Sequence, residues 1–599
     1  MFLIGRIIDL LPHVIIWVVF VSVCFVSGLL LLSKLQKPRI SIFCFSTSLV
    51  LGYTLVSYYY LFVGLLNLYE EPFITFIPLM FASAAAWIYF RKATFLLKEI
   101  LIYRKRLLLM IVLFGVLVLV RAFPDIGFDS NWFHLSQPLY YLRNGGIYHV
   151  GGYIFPSGYP QFTEMLFVPL LHWGDSITTS VFSLFNYFLL GLVIYSFVRL
   201  ASKNAKYALL SSVIFFTTPI IFSYSNLAYV DVLQGLCLLL AFYWIRSFLS
   251  SENKRELFIA GLMLIPVASS KYTGGLLCVT LAGYVLFSSG RMKEKLKTVF
   301  VLAVIPALGL MPWLIRNKLE VGNFLDPIGE VKMLHYGSTS SNYIEYFKSI
   351  NWFDTLKLLT SGEPLDYLVT FLVITSLIYF AKNKKWAYLV MIVLSLIVFR
   401  MMTPGDHYRY FSPFIPLIIA LFFSSLSGVK GKFVSVILMA TVMFFLFAQM
   451  FLLAKKVSPL VDYSLGKRNT LDFKSNFFVA EPFMFYDPTG RVKAEIGDQK
   501  LLVRGVDLIY PTLEDFDVLD YSFAEVDRGE VYSFGTLRSE MIENGYSYFL
   551  TNRGNLQSHF SVWFTENEVD KVDEYFDIVF HEANRFGNEW FLYKVRSNI

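Results

Sequence analysis

Long apolar runs constrain this chain more than any other feature of its sequence. An α-helix needs about 20 apolar residues to cross the core of a bilayer, and about 14 runs approach that length before residue 455. They lie at 12–33, 41–66, 73–90, 106–122, 176–198, 207–223, 228–248, 256–270, 273–289, 298–315, 365–381, 386–402, 410–427 and 433–453. Because only 16% of the residues are charged and 56% are hydrophobic, the chain has too little polar surface for a soluble fold. The sequence predicts a polytopic α-helical membrane protein.

The charges of the connecting loops predict how these spans are oriented. Lysine and arginine are retained on the cytoplasmic side of a membrane protein, and the basic clusters fall on one side if the 14 spans alternate. Examples are Lys34 to Arg39, Arg291 to Lys297 and Lys382 to Lys385. Segment 160–172 is short and contains Glu164 and two prolines, so we interpret it as an interfacial helix and not as a span. Both chain termini are then predicted to be extracytoplasmic.

The end of the chain differs in charge from the part before it. Residues 1–454 contain 35 Lys and Arg against 20 Asp and Glu, whereas residues 455–599 contain 16 against 24. The acidic part mixes strand-like and helical runs, which predicts a small soluble α/β domain. Three parts are therefore predicted: extra N-terminal membrane helices at 1–105, a central membrane domain at 106–454 with an outer loop at 123–175, and an extracytoplasmic α/β domain at 455–599.

Ionisable residues gather in the first large outer loop, in the stretch DIGFDSNWFHL. Asp129 precedes a helix-like segment whose apolar residues suit an amphipathic helix on the membrane surface, so we expect it to cap that helix. Gly145-Gly146 is expected to end the helix. A carboxylate at this position can act as a general base, although Asp125 and Asp129 also suit plain loop and capping roles. His134 alone is more typical of an interfacial hydrogen-bonding residue than of a catalyst.

Four further ionisable residues lie at the predicted outer ends of later spans. A carboxylate such as Asp231 is energetically costly at the end of a membrane span, so we interpret Asp231 as functional. The alternative is that it caps a helix. Lys271 breaks the positive-inside trend and suits a phosphate anchored in the outer leaflet. Arg316 and Arg409 break the same trend. These residues together describe a site that holds an anionic head group and activates a nucleophile.

The segment FDSNWFHLSQPLYYLRNGGIYHVGGYIFPSGYPQFTEMLF resembles the first outer loop of GT-C glycosyltransferases. In bacterial members similar to polyprenyl-phosphate-mannose–protein mannosyltransferases, an Asp is followed by Tyr-His-Leu, a Gly-rich turn and Tyr-Pro. The matching positions in this chain are Asp129, Phe133-His134-Leu135 with Phe in place of Tyr, Gly145-Gly146 and Tyr159-Pro160.

Later segments extend the resemblance. The second acidic motif of the family matches Tyr229-Val230-Asp231, and SKYTG, PWLIRN and HYRYFSPFIPL are similar to other family segments. The resemblance covers roughly 105–430 and follows the family's order. Nothing carries over to 1–105 or to the C-terminal domain, and the WWDYG signature of oligosaccharyltransferases is absent.

The resemblance implies a GT-C-like fold and an inverting transfer of a sugar from a polyprenyl-phosphate donor to a glycan, lipid or protein acceptor. By carry-over Asp129 is the catalytic base and Asp231 assists it or positions the acceptor, with His134 placed in the same catalytic group. Lys271 and Arg409 would bind the donor phosphate, because a phosphate leaving group needs cations. The other residues expected to contact substrate are Asp125, Glu164, Arg316 and His407.

The cofactor stays open, because some GT-C enzymes use a divalent metal and others do not. Asp125, Asp129 and His134 are the residues that would supply ligands to Mg or Mn. The expected partners are the lipid-phosphate donor, the acceptor and membrane lipids, without nucleic acid. The expected location is the inner (cytoplasmic) membrane, with the active site on the extracytoplasmic face.

Two other classes of protein remain as alternatives. A polysaccharide polymerase or ligase would act on the same face with a lipid-linked donor, but it is expected to keep catalytic arginines in a large late loop. A lipid-linked oligosaccharide flippase suits about 14 spans. It is expected to carry ionisable residues deep inside its spans, whereas those of this chain cluster at one predicted surface.

Overall fold

The computed structural model describes residues 2–36, 41–90, 94–125, 127–149, 157–326, 367–402, 408–426, 436–451, 491–497, 499–504, 533–543, 545–552, 571–583 and 589–596. All fourteen predicted apolar runs coincide with helical segments of this part of the chain. In chain order the helices are α1 (Phe2–Leu35), α2 (Ile42–Leu65), α3 (Ile77–Phe90), α4 (Thr94–Arg121), α5 (Ser136–Arg143), α6 (Phe162–Trp173), α7 (Ser176–Ser202), α8 (Ala205–Thr217), α9 (Pro219–Tyr224), α10 (Asp231–Ser251), α11 (Lys254–Ser270), α12 (Tyr272–Leu286), α13 (Met292–Val321), α14 (Tyr367–Lys382), α15 (Trp386–Met402), α16 (Ile415–Leu426) and α17 (Val436–Phe451). The predicted polytopic helical class is confirmed.

Length separates these helices into two groups. Within the described ranges, six helices are long and apolar enough to cross a membrane by length and composition alone. Seven more are apolar but have fewer than 18 residues. The count of 14 crossings therefore stays a prediction, although the position of each apolar run agrees with a helix.

The first two helices pack closely through glycine. A Cβ atom on Gly28 would lie 1.7 Å from the carbonyl oxygen of Ser48, and one on Gly52 would lie 1.7 Å from that of Cys24. Small residues let helix backbones approach in this way where water supplies no driving force. The Ser57 hydroxyl of α2 in turn donates to the Phe162 carbonyl at 2.8 Å. The N-terminal helices thus share a core with the outer loop and do not stand apart from it.

The outer-loop helices, which are predicted to be interfacial, are buried against the rest of the protein. Residues 162–171 of α6 are all buried, including Glu164. A 12-residue helix is about 18 Å long, so α6 is too short to span, as predicted. Before α5, a π-helical turn covers Ser130–His134 and is also buried. These segments pack against longer helices and carry ionisable residues of the outer loop.

Asp129 does not cap the helix that follows it. Its backbone is already helical (φ −60°, ψ −32°), and its side chain makes no capping hydrogen bond. The predicted end of the helical segment is confirmed, because Gly145 has a φ of +73°, a conformation that glycine adopts without strain. The Asp129 carboxylate is therefore available for another partner.

The described part of the C-terminal region confirms a small α/β domain. Its helices are α18 (Arg491–Ile496), α19 (Phe534–Glu543) and α20 (Val572–Tyr575), and its strands are β1 (Lys500–Arg504), β2 (Tyr546–Asn552), β3 (Phe576–Ala583) and β4 (Glu589–Val595). The sheet order is β1-β2-β4-β3, with β1 parallel to β2 and the other pairs antiparallel. Its apolar core includes Leu502, Phe549 and Tyr593 and is separate from that of the membrane helices.

Candidate active site

Two predicted carboxylates meet one predicted cation at the ends of the helices. Arg409 lies on a 3₁₀ turn, Tyr408–Phe414, just before α16. Its Nη2–H group donates to Oδ2 of Asp129, and its Nε atom lies 3.8 Å from Oδ2 of Asp231, the first residue of α10. The side chains are 13% exposed for Arg409, 17% for Asp129 and 5% for Asp231. The guanidinium therefore bridges two carboxylates in a recess that solvent still reaches.

Three tyrosine rings surround the same guanidinium. Its carbon atom lies 4.4 Å from the ring centroid of Tyr229, 5.3 Å from that of Tyr410 and 5.8 Å from that of Tyr224. Cation–π contacts of this kind strengthen when the cation is removed from water. Tyr229 and Tyr410 lie in segments that carry the family resemblance, but no sequence pattern predicts that the three rings surround one guanidinium. The tyrosines close to Asp231 and Arg409 in the sequence are the feature that could have suggested these contacts.

Lys271 brings a second positive charge to this recess. It links α11 to α12 with extended backbone (φ −157°, ψ 154°) and is 8% exposed. Its ammonium lies 5.6 Å from the ring centroid of Phe133 and 6.0 Å from that of Tyr410. Among the described residues no carboxylate forms an ion pair with it within 4.0 Å. Lys271 is therefore a nearly buried cation that forms no ion pair with a carboxylate of the described residues.

The charges of this recess act on one another. Burial, followed by the charge of Arg409, lowers the pKa of Lys271, while Asp231, Asp129 and Glu164 act to raise it. For Arg409 burial also disfavours the charged form, but the carboxylates outweigh it and hold the pKa well above its ordinary value. An anion that enters the recess would stabilise both cations, so the recess is suited to bind one.

The Asp125 carboxylate contacts the backbone, and its predicted contact with substrate stays a prediction. The backbone N–H groups of Gly127 and Ala228 donate to its two carboxylate oxygens at 2.7 and 2.6 Å. Burial raises the pKa of Asp125 to about 7, and the hydrogen bonds to Gly127, Ala228 and Ser130 oppose that rise. The carboxylate ties the first outer loop to the segment that leads into Asp231.

Asp125→Asn should reduce stability more than catalysis. The asparagine amide keeps one acceptor oxygen but places an NH2 group against the other backbone donor. A buried donor without an acceptor costs about 1–3 kcal/mol, so the melting temperature in detergent should fall while turnover per folded molecule stays within a few-fold. A normal melting temperature together with lost turnover would indicate that Asp125 takes part in the reaction.

His134 and Glu164 form a buried pair with each other. Nδ1 of His134 is hydrogen-bonded to Oε1 of Glu164, and their side chains are 0% and 2% exposed. Burial raises the pKa of Glu164 to about 8. Burial, with the charges of Lys271 and Arg409, also holds the pKa of His134 well below its usual range. Neither side chain reaches the surface of the recess, and the predicted catalytic role of His134 and substrate contact of Glu164 stay predictions.

Arg316 belongs to a second polar group. Its guanidinium donates to the Ser157 carbonyl and, at 2.7 Å, to Oδ1 of Asn317, and Glu320 lies 3.7 Å from it. Asn317 also donates to the Gly158 carbonyl at 2.6 Å. These contacts join the first outer loop to the end of α13, and the predicted substrate-binding role of Arg316 stays a prediction. His407 lies outside the described residues.

A further structural cation was missed by the sequence analysis. Arg121, at the end of α4, donates to Oδ1 of Asn226 at 2.7 Å and to the Phe222 carbonyl at 2.6 Å. It was counted only as part of an apolar run. Together with Asp125 it fixes the segment between α9 and α10, which carries Tyr229 and Asp231 into the recess.

The predicted metal ligands do not come together in one place. Asp125 accepts backbone hydrogen bonds, Asp129 pairs with Arg409, and His134 pairs with Glu164. Over the ranges that the structure describes, no group of three or more His, Cys, Asp and Glu side chains is arranged to hold a metal ion. Among the described residues these side chains are engaged with other partners, and the metal dependence that the resemblance left open stays open.

The described helices and these ionisable side chains define a polytopic helical membrane protein. A family model described as dolichyl-phosphate-mannose-protein mannosyltransferase matches residues 171–315, from the end of α6 to within α13. The matched segment contains Asp231 and Lys271 but not Asp129. A comparison with curated proteins finds no match.

Solved structures with a similar fold are known. The crystal structure of ArnT from Cupriavidus metallidurans bound to undecaprenyl phosphate is similar, with a TM-score of 0.52, 12% identity and coverage of 82% of this chain and 98% of that chain. The apo form of that protein has a TM-score of 0.51 and 11% identity, with coverage of 82% of this chain and 98% of that chain. The archaeal oligosaccharyltransferase AglB from Archaeoglobus fulgidus, in complex with an inhibitory peptide and a dolichol-phosphate, has 12% identity over 83% of this chain and 75% of that chain, but a TM-score of 0.38. The GT-C-like fold predicted from the outer-loop motif is confirmed.

Proposed function

We propose that this chain is an inverting glycosyltransferase that moves a sugar from a polyprenyl-phosphate-linked donor to a glycan, lipid or protein acceptor on the extracytoplasmic face of the membrane. The observation that carries the proposal is the recess in which Asp129, Asp231, Arg409 and Lys271 meet on a GT-C fold. The undecaprenyl phosphate bound by the similar ArnT structure supports a lipid phosphate as the donor.

Asp129 is the proposed general base. It takes the proton of the acceptor hydroxyl as the acceptor oxygen attacks the anomeric carbon from the face opposite to the phosphate. The new carbon–oxygen bond forms while the bond from that carbon to the phosphate breaks. Polyprenyl phosphate leaves with the electron pair, so no general acid is needed. Asp231 holds Arg409 in place beside the base.

Lys271 and Arg409 are proposed to bind the phosphate. Charge accumulates on the phosphate as the bond breaks, and cations already fixed in a water-poor recess stabilise that charge most effectively. Arg409 pairs with Asp129, so it lies next to the base as well as next to the proposed phosphate position. Lys271 has no such pairing and is the proposed primary anchor.

A purified-enzyme assay tests the proposed reaction. The full-length protein in detergent is incubated with a panel of polyprenyl-phosphate sugars and with extracted glycans, lipids or proteins as acceptors. We expect one donor to be consumed with release of polyprenyl phosphate. A donor that binds and is recovered intact with every acceptor class would contradict transfer and favour a flippase.

The C-terminal domain is predicted to be extracytoplasmic, because the loop charges require it. A reporter that is active only outside the cytoplasm should therefore be active when it is fused after Ile599. The same reporter inserted in the loop from Lys382 to Lys385 should be silent and serves as the matched control. The reverse pattern would place the recess on the cytoplasmic side and contradict the proposed face of action.

A further inference from the structure

The buried pair of His134 and Glu164 lies beside Lys271. The Thr163 and Ser270 hydroxyls are 3.1 Å apart and hydrogen-bonded, and each of these residues directly precedes a member of the group, Glu164 or Lys271. The ammonium and the carboxyl group are close enough to influence each other's ionisation. They nevertheless form no ion pair within 4.0 Å.

Glu164 is hydrogen-bonded to His134 and not to Lys271. Oε1 of Glu164 is bonded to the imidazole, while Oε2 of Glu164 and Nε2 of His134 are buried and have no hydrogen-bond partner in the described part of the chain. A buried carboxylate ordinarily pairs with the cation next to it. Burial of Glu164 favours its neutral form at pH 7, so the pair with His134 as a whole adds no net charge beside Lys271.

We propose that His134 is a positioning residue that holds Glu164 away from Lys271 and thereby leaves the ammonium for the donor phosphate. This inference rests on the proposed function, in which Lys271 is the phosphate anchor. Without the imidazole, Glu164 loses the hydrogen bond at Oε1, and we expect contact with the Lys271 ammonium to stabilise its carboxylate form. The ion pair then competes with the phosphate for the same charge.

Binding of polyprenyl phosphate alone, the proposed leaving group, tests this inference. His134→Leu removes the hydrogen bond at similar volume, and we expect it to weaken equilibrium binding by about tenfold or more, the scale of one charge-assisted contact. Adding Glu164→Gln to His134→Leu removes the competing carboxylate. The double variant should recover binding to within about threefold of the wild type, since a neutral amide cannot pair with Lys271 as an ion.

A purely structural role of His134 predicts a different result. Loss of packing would persist in the double variant, which would then bind as weakly as His134→Leu, and this outcome would overturn the inference. The single variant Glu164→Gln keeps a hydrogen bond to His134 and should bind within about threefold of the wild type, because it replaces a neutral group. If His134→Leu does not fold, Glu164→Gln alone tests the inference. A change of more than about threefold in its binding, in either direction, refutes the inference. No binding by the wild type would instead refute the proposed function.

Discussion

Asp129→Asn should lower sugar transfer by about a hundredfold or more, the scale typical of removing a general base. Asparagine has the size of aspartate but cannot take the acceptor proton. The Asp129 side chain makes no capping hydrogen bond, so the substitution removes no helix cap. The substitution removes the ion pair between Asp129 and Arg409. The second carboxylate, at Asp231, still holds Arg409 in the recess. Turnover, expression and donor binding measured on the same preparation check this expectation.

Asp175→Asn is the matched control for that substitution. Asp175 lies at the end of the same outer loop and caps α7 by accepting the N–H of Ile177 at 2.8 Å. Asparagine is an equally good capping residue, so this variant should keep both its stability and its turnover. Full activity in Asp129→Asn would remove Asp129 from the chemistry.

Lys271→Ala should raise the KM for the donor by about tenfold to a hundredfold, because a hydrogen bond to a charged partner contributes about 1.5–3 kcal/mol. The KM for the acceptor should change much less. Lys271→Arg restores the charge with a different donor geometry, so partial recovery is expected. Steady-state kinetics with each substrate varied in turn separates these effects.

Lys318→Ala is the control for the loss of one lysine. Lys318 is exposed near the end of α13 and donates to the Gly322 carbonyl at 2.7 Å. Its removal should leave the donor KM unchanged. Equal donor KM values in Lys271→Ala and the wild type would assign Lys271 to packing between α11 and α12.

The membrane helices could be predicted from the sequence because burial in lipid requires long apolar runs. The identities of the central residues could also be predicted, since Asp129, Asp231, Lys271 and Arg409 are polar where apolar residues dominate. Their pairing could not. Asp129 and Arg409 are separated by 280 positions, and no local pattern shows that the first outer loop and the turn before α16 meet.

The sequence reveals less about the short helices and about the polar groups around the site. The short length of 160–172, with Glu164 and two prolines, predicts an interfacial helix but not the burial of its residues inside the protein. Glu164 and His134 are 30 positions apart, and only the folded structure shows that they are hydrogen-bonded to each other. Asp125 likewise binds Ala228, 103 positions away, which no local pattern reveals.

A single-turnover measurement tests the central claim most directly. Purified wild type and Asp129→Asn are each loaded with an equimolar amount of the donor identified in the panel, acceptor is added, and released polyprenyl phosphate is followed over time. The account predicts that both proteins bind the donor and that only the wild type releases polyprenyl phosphate rapidly, with Asp129→Asn slower by about a hundredfold or more. Equal release from both proteins at equal donor occupancy would contradict transfer at the recess of Asp129, Arg409, Asp231 and Lys271.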